Sequence, residues 1–387
     1  MSENVRPAPS VSGQLLLVAG FVLTGTVTTL LGPLLPILAA QWSLSDARSG
    51  TFFVAQFAGS TLAALSAGFL AQRIGMKLTL AGGFLLMGTG LGTLFGSGPT
   101  MSHIAIAGYG LGLGFTIPNI NLVVADMQRP RSAAALNLLN MLWTAGALAS
   151  PLLVSLAVQV GRLQMMLLMV ASIAFAIALS MAFVRFGGSY VQIPDTRSAT
   201  EAPARAGRWL TFALVFFLYV GLENSLAGWA AAYAQRTGVA HSFASAALVP
   251  AAFWASLLVG RALFSILMMS LITPAATAFL GSVMVALGCA LMIVGGSPAL
   301  VIGGVSVAGF GLAPIFPNAI AFARVWFSER NITPLFACAG LGGATIPYFI
   351  GVASTLTGRM SNGIWLVLML AAALAALQLR LPRGTVS

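Results

Sequence analysis

Charge is what this sequence has least of. Only 6% of its 387 residues are Asp, Glu, Lys or Arg, while 59% are hydrophobic and mean hydropathy is +0.98. A soluble domain carries about 25% charged residues, so a water-soluble globule is excluded. Histidine and cysteine are also scarce, at two each. Cys289 and Cys338 sit inside apolar stretches, which argues against a disulfide framework and against a thiolate metal site. His103 and His241 lie at the ends of apolar segments, and the seven carboxylates are scattered. No acid–base pair or metal set can be assembled from these groups, so neither an enzyme nor a cofactor is expected. Nor is there a phosphate-binding loop or a soluble domain for an ATP-driven pump. The Gly108–Gly114 run follows no strand and has Leu113 where the G-x-G-x-x-G pattern needs its last glycine.

Long apolar runs are what the chain does have. A membrane span needs about 20 apolar residues, and breaks at Gly, Pro, Asn and charged residues give twelve candidates. The first six cover roughly 14–40, 48–71, 77–97, 102–126, 131–157 and 163–185. The last six cover roughly 208–235, 242–265, 274–295, 299–325, 333–357 and 363–381. Between the sets lies residues 187–207, the longest polar stretch, with Asp195, Arg197, Glu201 and Arg205 beside Pro194 and Pro203. The expected architecture is an all-α integral membrane protein of twelve transmembrane helices. Its parts are an N-terminal half (1–186), a cytoplasmic linker (187–207) and a C-terminal half (208–387).

The net charge of +11 would suggest nucleic acid in a soluble protein. Here the arginines fall singly between apolar segments, without basic runs, as expected of loops held on the cytoplasmic side. With the N-terminus inside, only Arg48, Arg162, Arg236 and Arg359 fall outside, and the other fourteen of the eighteen Lys and Arg, Arg261 among them, fall inside or near it. Both termini are therefore expected in the cytoplasm of a multi-pass protein of the cytoplasmic (inner) membrane. Residues 1–13 lack the apolar core and cleavage site of a signal peptide, so the first span is read as retained. The expected partner is the lipid bilayer, not nucleic acid, and a monomer suffices.

The halves repeat. Gly25 and Gly221, Phe57 and Phe253, and Pro151 and Pro347 each lie 196 residues apart. Gly161–Arg162 and Gly358–Arg359 are separated by 197, and Gly112–Asn119 (GLGFTIPN) and Gly311–Asn318 (GLAPIFPN) by 199. Five matches at nearly one offset imply two pseudo-symmetric six-helix halves, with a site expected at their interface near the midplane.

Between spans two and three the chain reads Gly68-Phe-Leu-Ala-Gln72-Arg73-Ile-Gly75-Met76-Lys77. This is similar to the signature of the major facilitator superfamily, a Gly, then Asp-Arg, a second Gly and a basic pair. Gly68, Arg73, Gly75 and Lys77 match it, whereas Gln72 replaces the Asp and Met76 a basic residue. The resemblance implies a gating role for Gly68, Gln72, Arg73, Gly75 and Lys77 at the cytoplasmic side. Gln72 can accept a hydrogen bond but cannot form the salt bridge of the signature. Gly112–Asn121 (GLGFTIPNIN) and Gly221–Trp229 (GLENSLAGW) resemble the fucose–galactose–glucose:proton symporter group. Some members of that group carry an acidic residue in span one, and Gly20–Pro36 has none.

Glu223 is a lone carboxylate about fifteen residues into a span of roughly 28. A charge near the bilayer centre costs roughly 2.5–3.5 kcal/mol on insertion scales, so such groups face a cavity or a partner. A carboxyl group there can gain and lose a proton as a cavity changes sides, and Glu223 is the expected proton-coupling residue. The bland alternative is a fixed carboxyl group hydrogen-bonded to a neighbouring helix. Tyr219, at i−4, shares its face. Asn224 points about 100° away and Trp229 about 240°; each is a candidate for substrate or for packing.

Asn119 and Asn318 follow Pro118 and Pro317. A proline frees a backbone carbonyl that an adjacent Asn can satisfy, so bracing competes with binding, and is favoured for Asn318. Asn121 lies about 200° from Asn119, so only one of the two is expected to see a cavity. Asn137, Asn140 and Thr144 make a polar stripe on one face of span five, read as cavity lining against helix–helix glue. Thr24 and Thr28 form a shorter stripe that their own i−4 carbonyls also explain. Gln56 faces an unknown side. Gly88, Gly92 and Gly96 read as a close-packing face.

The expected function is a secondary active transporter that moves a small polar, sugar-like solute by alternating access, coupled to protons. The alternative is a proton-driven efflux carrier for amphipathic compounds, whose cavity should be broad, aromatic and poor in fixed polar groups. A solute sensor on the same fold also remains open.

Overall fold

The structure is a computed structural model and describes residues 11–96, 98–127, 132–183, 203–267, 273–327 and 329–380. Their secondary structure is helical throughout, without a strand among the described residues. In chain order the helices are α1 (Val11–Thr29), α2 (Leu31–Gln41), α3 (Asp46–Ile74), α4 (Met76–Gly92), α5 (Pro99–Met127), α6 (Ser132–Gln159) and α7 (Leu163–Ser180). They continue as α8 (Pro203–Arg236), α9 (Phe243–Leu267), α10 (Pro274–Val294), α11 (Pro298–Leu312), α12 (Ile315–Trp326), α13 (Glu329–Thr357) and α14 (Met360–Arg380). Each apolar segment of the sequence coincides with one helix or a helix pair. Among the described residues, ten stretches are long and apolar enough to cross a membrane. The 17-residue α4 and the glycine-rich α5 are not among those ten.

Two of the segments are interrupted. Ser12–Gln41 breaks at Leu30, between α1 and α2, and Pro298–Trp326 breaks at Ala313, between α11 and α12. The second break has a clear cause. Pro314 and Pro317 each lack an amide hydrogen, and the Ala313 N–H turns back to the Phe310 carbonyl instead. At the equivalent place α5 carries only Pro118 and continues unbroken.

The chain forms two compact units. The first contains α1 through Thr28, α3 from Ala55, α4, α5, α6 through Ala147, and α7. The second contains the ends of α3 and α6 that remain, α2, and α8 to α14. Proximity between helices inside each unit depends on glycine, and the same contacts recur. In the first unit Gly25 sits against the Trp143 carbonyl and Gly146 against that of Val22; in the second Gly221 sits against the Gly342 carbonyl and Gly342 against that of Phe217. Similarly, Gly110 and Gly112 rest on Gln56 and Gly83, as Gly309 and Gly311 rest on Phe253 and Gly281. A Cβ at any of these would collide with backbone, which has nowhere to move. The 196–199-residue periodicity of the sequence is thus a periodicity of helix contacts. It also explains the GYGLGLG run, whose alternate glycines admit α3 on one side and α4 on the other.

The expected glycine face of span three differs in detail. A side chain at Gly92 would meet nothing within 4 Å, and the backbone approach of α4 to α5 runs through Gly83 and Gly90 instead. Between α3 and α4 the chain turns in one residue, Gly75, at φ 91°, a conformation that glycine adopts without strain.

Candidate functional site

In the second unit α8 packs against α2, α9, α11, α12, α13 and α14, and its middle carries the polar cluster. Glu223 lies 13 residues before the end of α8 at Arg236. The Tyr219 hydroxyl, one turn earlier, donates to Glu223 Oε1 at 2.8 Å. From α9, the Arg261 guanidinium approaches the same oxygen, with Nη2 at 3.7 Å. Both charged side chains are largely withdrawn, Arg261 12% and Glu223 10% exposed. Arg261 also interacts with the Tyr219 hydroxyl.

The sequence reading placed Arg261 among the cytoplasmic-side charges; its guanidinium instead serves the buried carboxylate. Among the described arginines it is the one withdrawn from the surface. Glu223 is therefore half of an ion pair and not a lone charge. Adjacent antiparallel helices held the clue: counted from the α8–α9 turn, Glu223 is 13 residues down and Arg261 18 residues down. At 1.5 Å per residue the depths differ by roughly 7–8 Å, which a long arginine side chain can bridge.

Aromatic rings wall the cluster. Tyr219 stacks on Phe316 with centroids 4.9 Å apart. Phe216 lies 5.3 Å from Phe316 and edge-on to Phe336 at 5.6 Å. Phe336 itself is 46% exposed.

Other expected site residues sit elsewhere. Trp229 is buried, its indole N–H donating to the Pro347 carbonyl at 2.9 Å, and packs near Phe53. Asn224 donates to the Val220 carbonyl of its own helix at 2.8 Å. Asn318 bonds α10 twice, at the Pro274 carbonyl (2.8 Å) and the Thr277 hydroxyl (3.0 Å). Gln56, in the first unit, has both ends of its amide engaged: Nε2 donates to the Thr28 carbonyl and Oε1 accepts from the Tyr109 hydroxyl, each at 2.9 Å.

Several polar side chains fold back on their own helices. Thr24 donates to Phe21, Thr28 to Thr24, Asn121 to Ile117, Asn140 to Leu136 and Thr144 to Asn140, at 2.6–2.9 Å. Asn119 donates to the Phe115 carbonyl at 2.9 Å. Pro118 leaves the Gly114 carbonyl, not that of Phe115, without its helical donor, so the expected proline–asparagine compensation is not made there. Asn119 is buried and Asn121 half-buried. The span-five stripe also divides: Thr144 is buried, while Asn137 and Asn140 are exposed.

At the signature segment Arg73 stacks over the Phe69 ring at 4.6 Å, and the Lys77 ammonium donates to the Ala182 carbonyl beyond α7. Gln72 is exposed, and a side chain at Gly68 would meet nothing within 4 Å.

A second charged cluster escaped the sequence reading. Asp46, the first residue of α3 and 5% exposed, accepts from Arg236 Nη1 at 2.9 Å and Nη2 at 2.6 Å. Ser354 of α13 donates to the same carboxylate at 2.6 Å. The Ala47 N–H donates to Thr355 Oγ1 at 2.8 Å.

Repeated apolar helices carrying a buried ion pair define a multi-pass helical membrane protein. The pattern of the Major Facilitator Superfamily matches residues 17–325, and the chain belongs to that superfamily of transporters. It is 24% identical to Bypass of stop codon protein 6 of Saccharomyces cerevisiae, over 87% of this chain and 76% of that protein. The nucleoside transporter NupG shares its fold at a TM-score of 0.76 and 15% identity, covering 95% of this chain and 98% of that one. The E. coli fucose:proton symporter FucP does so at a TM-score of 0.63 and 15% identity, covering 97% and 99%.

Proposed function

We propose that the chain is a secondary transporter that carries a small polar, sugar-like solute by alternating access together with protons. The observation behind this reading is the Tyr219–Glu223–Arg261 cluster. A titratable carboxylate held inside a membrane span is costly and is kept for a purpose. Here it has a hydroxyl to orient it and a cation to balance it. Glu223 is the proton carrier, and Tyr219 positions it. Tyr219 and Asn224 on α8 and the exposed Asn137 and Asn140 on α6 are the first candidates for solute contact. Solved structures of the same fold include a nucleoside transporter and a fucose:proton symporter, which supports polar solutes.

The accompanying architecture is twelve spans in halves 1–186 and 208–387, joined by 187–207, as a monomer in the cytoplasmic membrane with both termini inside. The Phe216, Phe316 and Phe336 cluster favours the second reading, a proton-driven efflux carrier for amphipathic compounds, because rings beside an ion pair suit a flat apolar body.

Purified protein in liposomes with an alkaline interior, offered sugars, nucleosides, sugar acids and amphipathic dyes, tests the choice. Accumulation of a polar solute that a protonophore abolishes supports the first reading. Movement of dyes alone moves the assignment to efflux. No movement of any solute under the gradient overturns both.

A further inference from the structure

A cavity of about 180 Å³ lies at the Arg236 end of α8, away from the Glu223 cluster. Ala39 of α2, Leu44 of the α2–α3 turn, Trp229 of α8 and Phe243 at the start of α9 give it apolar walls. Asp46, Gln235 and Arg236 add polar groups. All of these residues belong to the second unit. Gln235 is 12 residues beyond Glu223, about 18 Å along the helix at about 1.5 Å per residue. One small solute cannot touch both.

Two of the polar groups have hydrogen-bonding capacity to spare. An arginine carries more N–H donors than the two that Asp46 takes from Arg236, and Arg236 is 49% exposed. The half-buried Gln235 side chain makes no hydrogen bond among the described residues, so it presents both a donor and an acceptor. Trp229, by contrast, is fixed, because its indole N–H is committed to the Pro347 carbonyl. It supplies a rigid apolar surface at the deep end.

Charge and size then restrict the occupant. The Asp46–Arg236 pair is balanced, with Ser354 completing the carboxylate's contacts. An anion would compete with Asp46 for Arg236, and a cation with Arg236 for Asp46. Stranding the buried partner of such a pair is strongly unfavourable. A neutral solute with several hydroxyls uses the spare groups and leaves the pair intact. The volume far exceeds the roughly 30 Å³ share of one water, yet falls short of the roughly 300–1,000 Å³ of a drug-sized pocket. It suits one monosaccharide ring, and a second ring has no room.

We infer that this cavity is a binding site for a neutral polyhydroxylated solute of monosaccharide size, separate from the Glu223 cluster. In the arrangement proposed above it lies on the outer side. The inference goes beyond the transporter reading, since binding here needs neither a proton nor Glu223. A solute in the cavity touches α2 and the α2–α3 turn on one side and α8 and α9 on the other.

Calorimetric titration of the purified full chain tests this with D-xylose, D-glucose, D-galactose and myo-inositol. Maltose serves as the oversized probe, and gluconate and glucosamine as the charged ones. At least one neutral monosaccharide-sized probe should bind saturably, while maltose and the two charged probes do not. Ala39→Leu fills the cavity and should abolish that binding. Gln235→Ala should weaken it by about 3–10-fold, the loss of one neutral hydrogen bond. Gln235 is only half-buried, so this variant gives a separate reading if Ala39→Leu fails to fold. Glu223→Gln should leave the affinity unchanged. Binding of none of the four neutral probes overturns the inference, as does equal binding of maltose or of a charged probe. Undiminished binding in Ala39→Leu or in Gln235→Ala also overturns it. Sugar binding lost in Glu223→Gln but kept in Ala39→Leu would remove this site and leave the proposed transporter standing. Binding with the expected pattern, but no proton-driven flux in liposomes, would keep the site and remove the transporter.

Discussion

Arg236, the last residue of α8, holds both oxygens of the Asp46 carboxylate at the first residue of α3, 190 positions away in sequence. Ser354 of α13 donates to one of those oxygens, so one buried carboxylate ties three helices. Its two sides are unequal, since Asp46 is 5% exposed and Arg236 49%. Arg236→Ala strands a buried anion, while Asp46→Ala leaves a guanidinium that water can hydrate and one orphaned Ser354 hydroxyl. Arg236→Ala is therefore expected to cost about 2–3 kcal/mol and Asp46→Ala about 1–2, below the full buried-pair range because one partner is wet. The double variant should lose less than the sum. Thermal melts of the four proteins in detergent decide it; equal single costs that add would mean the pair is energetically idle.

Glu223→Gln keeps the shape of the side chain and an oxygen for the Tyr219 hydroxyl, but cannot bind and release a proton. Accumulation against a concentration gradient, driven by a pH gradient, should be lost, while exchange of labelled for unlabelled solute across the same liposomes is spared. Retained exchange also shows that the variant is folded. Unchanged concentrative uptake would remove Glu223 from proton coupling.

Gln56 and Tyr109 form a brace inside the first unit. Gln56→Leu breaks the bond to the Thr28 carbonyl and leaves the buried Tyr109 hydroxyl unsatisfied. Hydrogen bonds in membranes average about 0.6 kcal/mol, and an orphaned buried group adds about 1–3, so roughly 2 kcal/mol of stability should go. Adding Tyr109→Phe should restore part of it by removing the orphan. A drop in solute affinity with an unchanged melting temperature would instead put Gln56 at the solute.

These cases show which parts of the molecule the sequence disclosed. Spans were legible because apolar length is a one-dimensional property, as with α7 and α10, whose ends fall within a few residues of expectation. The internal repeat was legible for the same reason, through glycines whose contacts recur at one offset. The break at Ala313 needed a comparison of two prolines against one, and Leu30 gave no comparable sign. Pairings across helices were illegible unless depth was counted from a shared turn. Arg261 therefore reads from sequence only as a charge at or near the cytoplasmic side, and Asp46, just ahead of a span, carries no sequence signal of its partner. Polar stripes are ambiguous for a further reason. A helix offers each Thr and Asn its own i−4 carbonyl, and Thr28, Asn121 and Asn140 all accept that offer, so spacing alone does not separate lining from self-satisfaction.

Asn137 and Asn140 put that distinction to the test. Both are exposed on α6 while Thr144, one turn beyond Asn140, is buried. Asn140 donates one amide N–H to the Leu136 carbonyl of its own helix. Asn137→Ala and Asn140→Ala are expected to change stability by less than about 0.5 kcal/mol, as substitutions at exposed positions do. Each should weaken solute affinity by about 3–10-fold, the loss of one neutral hydrogen bond. Solute titrations and thermal melts on the same preparations separate the outcomes. A lowered melting temperature with unaltered affinity would assign the pair to helix packing, and solute contact would then fall to α8, where Tyr219 remains beside the ion pair.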